Sequence, residues 1–176
     1  MIRHILLYKS DKISVYCTPA VERESSAKRK STYVKTCIAA EKTLIKNITN
    51  KYPKTKDSHF TFLFKNYKNN DMLGSCDMEF DNDIAVDINA KAMNSLCKTI
   101  GHELVHARQF LSGQLQYNTR IKYYTYEGDK HRYIYRRQPW ELEAYALQDK
   151  ESLKLKRWLL DHAHYNPKLA TSEVSS

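Results

Sequence analysis

The sequence predicts an α+β fold: a small antiparallel or mixed sheet packed against a long N-terminal helix, a central helix and a C-terminal helix. Three observations predict it. Apolar residues form short strand-like runs at 2–17, 60–64 and 72–88. They recur at three-to-four spacing over about 25–52, 94–112 and from 139 onward. Only 4 Gly and 4 Pro interrupt 176 residues, so the chain has few breakers for a loop-rich or disordered structure.

In order along the chain, Ile2–Leu7 and Ile13–Cys17 flank the polar turn Lys9-Ser10-Asp11-Lys12 and read as a strand pair. Pro19 and a charged stretch follow. From about Ser25 to Tyr52, residues Tyr33, Val34, Cys37, Ile38, Leu44, Ile45 and Ile48 mark one apolar helix face, and Pro53 ends it. Phe60–Phe64 is aromatic and strand-like. Met72–Phe80 and Ile84–Ile88 flank Asp81-Asn82-Asp83, a hairpin signal.

Asn94 or Ser95 can cap a helix running to about Ser112, with Met93, Leu96, Cys97, Ile100, Leu104, Ala107 and Leu111 as its apolar stripe. Gly113 suits the position just past its end. Residues 114–138 are polar and tyrosine-rich, read as strands and a flap with Gly128 in a turn. Pro139 opens a last helix whose apolar positions are Trp140, Ala144, Leu147, Leu153, Trp158 and Leu159.

The length suits one domain over 1–166, with a basic part at 1–58, a second part at 59–166 and a loose tail at 167–176. No apolar run approaches the roughly 20 residues of a membrane helix, and the opening stretch is too soon charged for a signal peptide. A cytoplasmic protein without a membrane partner is expected. Cys17, Cys37, Cys76 and Cys97 form no paired motif and read as buried free thiols. Residues 1–58 carry 13 Lys/Arg against 5 Asp/Glu, a surface that can attract nucleic acid or an acidic protein, or simply solvate a helix face.

One motif carries chemistry. Residues 102–106 read His-Glu-Leu-Val-His on the central helix. Positions i and i+4 share a helix face, so two imidazoles can reach one metal ion. Glu103 lies roughly 100° around the helix from His102. From there its carboxylate can take a proton from a water that the metal acidifies, without competing for the metal.

Two histidines do not complete a catalytic site, which usually has three protein ligands. The residues leave several candidates: Glu141, Glu143, His131, His162 and His164. Glu141 and Glu143 begin a helix, where the dipole favours a carboxylate, and small Ala144 lets that helix approach a neighbour. Two residues apart, they point roughly 200° from each other, so one should face the metal.

His102-Glu103-Leu104-Val105-His106 followed by Glu141-Leu142-Glu143-Ala144 resembles the gluzincin group of zinc metallopeptidases. It is most similar to small ImmA/IrrE-like enzymes, to SprT-like minimal zincin domains and to phage or viral metallopeptidases with a Trp-Glu-x-Glu-Ala element. The upstream pattern Gly74…Ile84-Ala85-Val86-Asp87-Ile88 adds to the likeness, which covers about residues 72–150. The resemblance implies a minimal zincin-like fold and an enzyme that hydrolyses protein or peptide substrates, in the phage or viral case within a host cell. It implies zinc on His102, His106 and Glu141, with Glu103 as general base. A histidine as third ligand would move the chain toward the SprT-like pattern, and Glu143 stays an alternative.

Other residues are weighed by type and place. Gly101 can mark close approach of another backbone, such as the third-ligand helix. Tyr135, Tyr145 and His131 are candidates to stabilise an oxyanion. Asp149 can steady a ligand histidine, and Arg136-Arg137 can hold a carboxylate or phosphate. Rival expectations are a basic nucleic-acid-associated protein with a structural zinc, a SprT-like protease acting on DNA-bound proteins, and a metal-free interaction module.

Overall fold

A computed structural model describes residues 4–68, 72–79, 82–118, 123–131 and 138–170. Its larger sheet has the order β1-β2-β3-β5-β4, built from Ile5–Lys9 (β1), Ile13–Cys17 (β2), Phe60–Lys65 (β3), Gly74–Met78 (β4) and Ile84–Asn89 (β5). The sheet is mixed. β1 and β2 form an antiparallel hairpin, β2–β3 and β3–β5 run parallel, and β4 folds back antiparallel on β5 as an edge strand.

The parallel step from β2 to β3 needs a crossover, and the N-terminal helices supply it. Pro19–Glu24 (α1) is a short helix capped by Thr18, in the charged stretch to which the sequence assigned no element. Ala27–Ala40 (α2) begins two residues later than expected because Ser26 is the cap, its hydroxyl accepting from the Arg29 amide. The helix then widens through a π-turn at Glu41–Ile45 and continues as Lys46–Lys51 (α3). Periodicity foresaw one long helix and not its widened turn, inside which Glu41 is buried and accepts from the Ser10 hydroxyl at 2.9 Å.

The core lies between this helix and the sheet. Along β3, Phe60, Phe62 and Phe64 alternate inward and are fully buried. Tyr33 of α2 stacks on Phe64 at 4.1 Å and donates its hydroxyl proton to the Ala90 carbonyl. That bond satisfies the only polar atom of a fully buried ring, so its apolar area is buried without an unpaired hydroxyl. Cys17 and Cys37 are buried free thiols as expected, while Cys76 and Cys97 are partly exposed.

The motif helix, Leu96–Leu111 (α4), is buried along nearly its whole length. A 3₁₀ turn at Met93–Ser95 leads into it, and Ser95 at the cap position makes no capping bond; its hydroxyl instead donates to the Ala92 carbonyl. Gly113 closes the helix at φ +74, a backbone conformation that favours glycine. A second, three-stranded antiparallel sheet follows: Leu115–Asn118 (β6), Tyr123–Tyr126 (β7) and Asp129–His131 (β8).

Pro139–Asp161 (α5) packs along α4. Its buried positions are Trp140, Glu141, Ala144, Ser152 and Leu155; Leu153, expected to face inward, is 64% exposed. The register differs because Gly101 of α4 meets the backbone of α5 around Ser152. A Cβ at 101 would stand 3.1 Å from the Ser152 nitrogen and 3.3 Å from the Gln148 carbonyl oxygen. Of the two readings open for Gly101, close approach of a backbone or incidental tolerance, the structure has the first, and the approach is to the helix that carries Glu141. The start of the expected loose tail is held to the body: Pro167 is buried, and the Ala170 amide donates to the Leu7 carbonyl. No helix among the described residues is long and apolar enough to cross a membrane.

Gly101→Val forces branched methyls into the α4–α5 contact. Overpacking of this kind should cost about 1–3 kcal/mol in the metal-free protein, read from its urea midpoint at unchanged slope.

Candidate metal centre

Two turns of helix define the site. His102 and His106, one turn apart on α4, point the same way, and their Nε2 atoms stand 3.2 Å apart. Glu141, in the first turn of α5, reaches across. Its Oε2 is 3.4 Å from His102 Nε2 and its Oε1 is 3.4 Å from His106 Nε2. All three residues are 9% exposed or less.

Around an ion bonded at about 2.0–2.1 Å in tetrahedral geometry, neighbouring donor atoms lie about 3.3 Å apart. The 3.2 Å between the two imidazole nitrogens, and the 3.4 Å from each of them to one or other Glu141 oxygen, are close to that spacing, and one ligand atom from each residue lies within 4.8 Å of the other two. Glu141 Oε2 and His102 Nδ1 are buried without a hydrogen-bond partner among the described residues. Glu141 Oε2 has only the 3.4 Å contact to His102 Nε2, and a cation between the three residues would satisfy it more fully. The donor set of two imidazoles and one carboxylate suits zinc.

The remaining candidates are elsewhere. Glu143 points away from Glu141, accepting from Arg108, from Gln109 Nε2 at 2.8 Å and from the Tyr126 hydroxyl at 2.8 Å. His131 stands edge-on to the Trp140 ring at 5.7 Å. His162 stacks on Trp158 at 4.1 Å, and His164 is exposed. Asp149 is 74% exposed and paired with Lys98, away from both histidines. Tyr145 is half exposed with its ring 4.8 Å from that of His102, at the rim of the site. Tyr135, Arg136 and Arg137 lie outside the described residues.

Glu103 is buried beneath the edge strand. A Cβ on Gly74 of β4 would come within 2.7 Å of Glu103 Oε1, 3.0 Å of Thr99 Cγ2 and 3.1 Å of the Asp87 carbonyl oxygen. Glycine at 74 thus opens the space the carboxyl occupies. Residues from β4 (Ser75, Cys76, Asp77), from α4 (Glu103, His106, Phe110) and from the small sheet and α5 (Tyr124, Trp140, Glu141) line a cleft of about 270 Å³.

Electrostatics separate the three acids. Burial pushes the Glu103 carboxyl up to about 7, although His106 and His102 pull it down. Burial also raises Glu141, but hydrogen bonds and charge from His102 and His106 outweigh it and hold the carboxyl at about 2. Burial depresses His106, and Glu141 and Glu103 more than reverse this, so its pKa is raised. Glu143 is raised by burial and lowered further by Gln109, Arg108 and Tyr126.

Sequence reasoning missed Gln109. It hydrogen-bonds His106 Nδ1 through Oε1 at 2.8 Å, and its Nε2 donates to the Trp140 carbonyl at 3.1 Å as well as to Glu143. Position 109 lies three residues after His106, on the same helix face, which is the one sequence signal available. Compared with protein-family models, with curated proteins and with solved structures, the chain matches none.

A carboxyl raised to about 7 by the fold favours folding while protonated. Its contribution is complete below the ordinary value of 4.5 and is lost as pH rises toward about 7. Glu141 acts in the opposite sense and in a lower window, losing its contribution as pH falls from 4.5 toward about 2. Metal-free Glu103→Gln should therefore be more stable than wild type at pH 7 by about 2–3 kcal/mol and nearly equal to it at pH 4.5. Denaturant melts at the two pH values check this.

Proposed function

We propose that the chain is a zinc-dependent hydrolase acting on peptide bonds. The observation that carries the reading is the buried triangle formed by His102, His106 and Glu141, with Glu103 beside it in the same cleft. Among the described residues the group offers three ligands, which fits a catalytic site with an open position better than a structural site closed by four. The resemblance of His102–His106 and Glu141–Ala144 to gluzincin metallopeptidases supports the peptide bond as the target.

His102, His106 and Glu141 would hold the ion. Zinc, when bound, supplies a Lewis acid that acidifies water and polarises a carbonyl. Glu103 takes one proton from the attacking water as its oxygen adds to the carbonyl carbon. The same carboxyl then delivers that proton to the amine nitrogen as the C–N bond breaks. A carboxyl near 7 in the metal-free protein suits both halves of that cycle, and a bound cation would draw it lower. Burial of Glu103 keeps bulk water from competing for the proton.

The edge strand β4 supports an extended substrate. Its backbone pairs with β5 on one side, and among the described residues no strand pairs with its other side, which borders the cleft. An extended peptide can add to such an edge and bring a peptide bond alongside Glu103.

The purified chain should hold about one zinc per molecule, measured by elemental analysis, and Glu141→Ala should lose it. Glu103→Gln should keep the zinc and lose about 10²–10⁴-fold in peptide hydrolysis, measured on unfolded protein substrates. Wild-type turnover by Glu103→Gln would remove Glu103 from this role, and a zinc-free wild type would end the metallopeptidase reading.

A further inference from the structure

The two histidines are held differently, and the difference begins at Gln109. An amide side chain can present either its oxygen or its NH₂ to a given neighbour, so its orientation must come from the network. Gln109 Nε2 is 3.1 Å from the Trp140 carbonyl oxygen and 2.8 Å from Glu143 Oε2. A carbonyl only accepts. Glu143 Oε2 already accepts from the Tyr126 hydroxyl, and Oε1 accepts from Arg108. Both neighbours therefore demand donors, and the NH₂ must face them.

The amide oxygen is then forced toward His106 Nδ1, 2.8 Å away. An oxygen there only accepts, so Nδ1 must carry the proton. In a neutral imidazole this leaves Nε2 bare, with its lone pair toward His102 and Glu141; the bond from Nε2 to Glu141 belongs to the doubly protonated ring alone. His102 has no such support: its Nδ1 is buried and without a hydrogen-bond partner among the described residues.

We propose that Gln109 and Glu143 are positioning residues, a relay that locks His106 in its Nδ1–H tautomer and aims its Nε2 at the metal position before metal arrives. The inference rests on the zinc reading for its purpose and on the hydrogen bonds alone for its geometry. It gives Glu143, which points away from its neighbour Glu141, a task at the same site. It also ties the site to the small sheet, because Tyr126 of β7 holds Glu143, and Gln114 Nε2 donates to the Tyr126 hydroxyl at 2.9 Å. Outer partners of this kind typically set metal affinity within a factor of about 10–100.

Two variants of the full chain separate a relay from simple packing. Gln109→Met keeps the volume and removes the acceptor. Gln109→Glu combined with Glu143→Gln keeps an acceptor facing His106 and a single negative charge in the pair, and gives up only the bond to the Trp140 carbonyl. Long-range ¹⁵N–¹H spectra of the metal-free protein, recorded well above the histidine titration range, report the His106 tautomer. Competition with a chromophoric chelator reports the affinity for zinc alone.

The relay requires a single Nδ1–H tautomer in wild type and in the double variant, and a mixture in Gln109→Met. Zinc affinity should fall about 10–100-fold in Gln109→Met and by less in the double variant. Packing alone requires the opposite order, with the isosteric methionine nearer wild type, and that order would overturn the proposal. If Gln109→Met does not fold, the folded double variant decides: loss of its Nδ1–H signal overturns the relay, and retention supports it. Should wild type bind no zinc, the metallopeptidase reading fails, while the tautomer still tests the relay in the metal-free chain.

Discussion

The candidate site depends on how closely α5 can lie against α4. His102 and His106 are one helical turn apart whatever the rest of the chain does, because the α-helix sets that spacing. Glu141 is brought to them by a different route, across a contact where Gly101 lets the α5 backbone come in without a side chain between. A Cβ-bearing helix face would hold the two axes further apart, and the 3.4 Å distances from Glu141 to both imidazoles would open. Small Ala144, buried one turn beyond Glu141, serves the same contact from the α5 side.

Glycine plays a second, separate part at position 74. There it makes room for a carboxyl rather than a backbone, and this allows Glu103 to be buried under an edge strand. Burial then raises the Glu103 carboxyl, whereas Glu141, equally buried, is held low by two imidazoles. Glu143 is held low by an arginine, an amide and a phenol. Three acids within a short span thus have three environments. On the proposed reading, such environments would divide the tasks of base, ligand and support among chemically identical side chains.

The larger sheet gives the site its open side. Because β2, β3 and β5 are parallel and β4 returns antiparallel, β4 becomes an edge directly over α4. This edge strand, next to the buried Glu103 and the His102–His106–Glu141 group, is where the proposed extended substrate would add without disturbing the core. The small sheet closes the opposite wall with Tyr124 and, through Tyr126, braces Glu143.

Much of this was legible in the amino-acid order, where the information is local. The central helix, the β4–β5 hairpin, Pro139 at the start of α5 and Gly113 past the end of α4 follow from periodicity and from backbone preferences of single residues. The pairing of His102 with His106 and the side position of Glu103 follow from 3.6 residues per turn. The sequence alone left Glu141, Glu143 and three histidines open as the third ligand, since residues some 35 positions apart meet only through packing. Tertiary structure brought Glu141 rather than the other candidates to the two imidazoles, placed Gln109 behind His106, and buried Ser152 where periodicity expected Leu153. The physical reason is the same in each case: helical geometry acts over one turn, while the rotation and approach of α5 on α4 are set by which side chains fill, or leave free, the space between them.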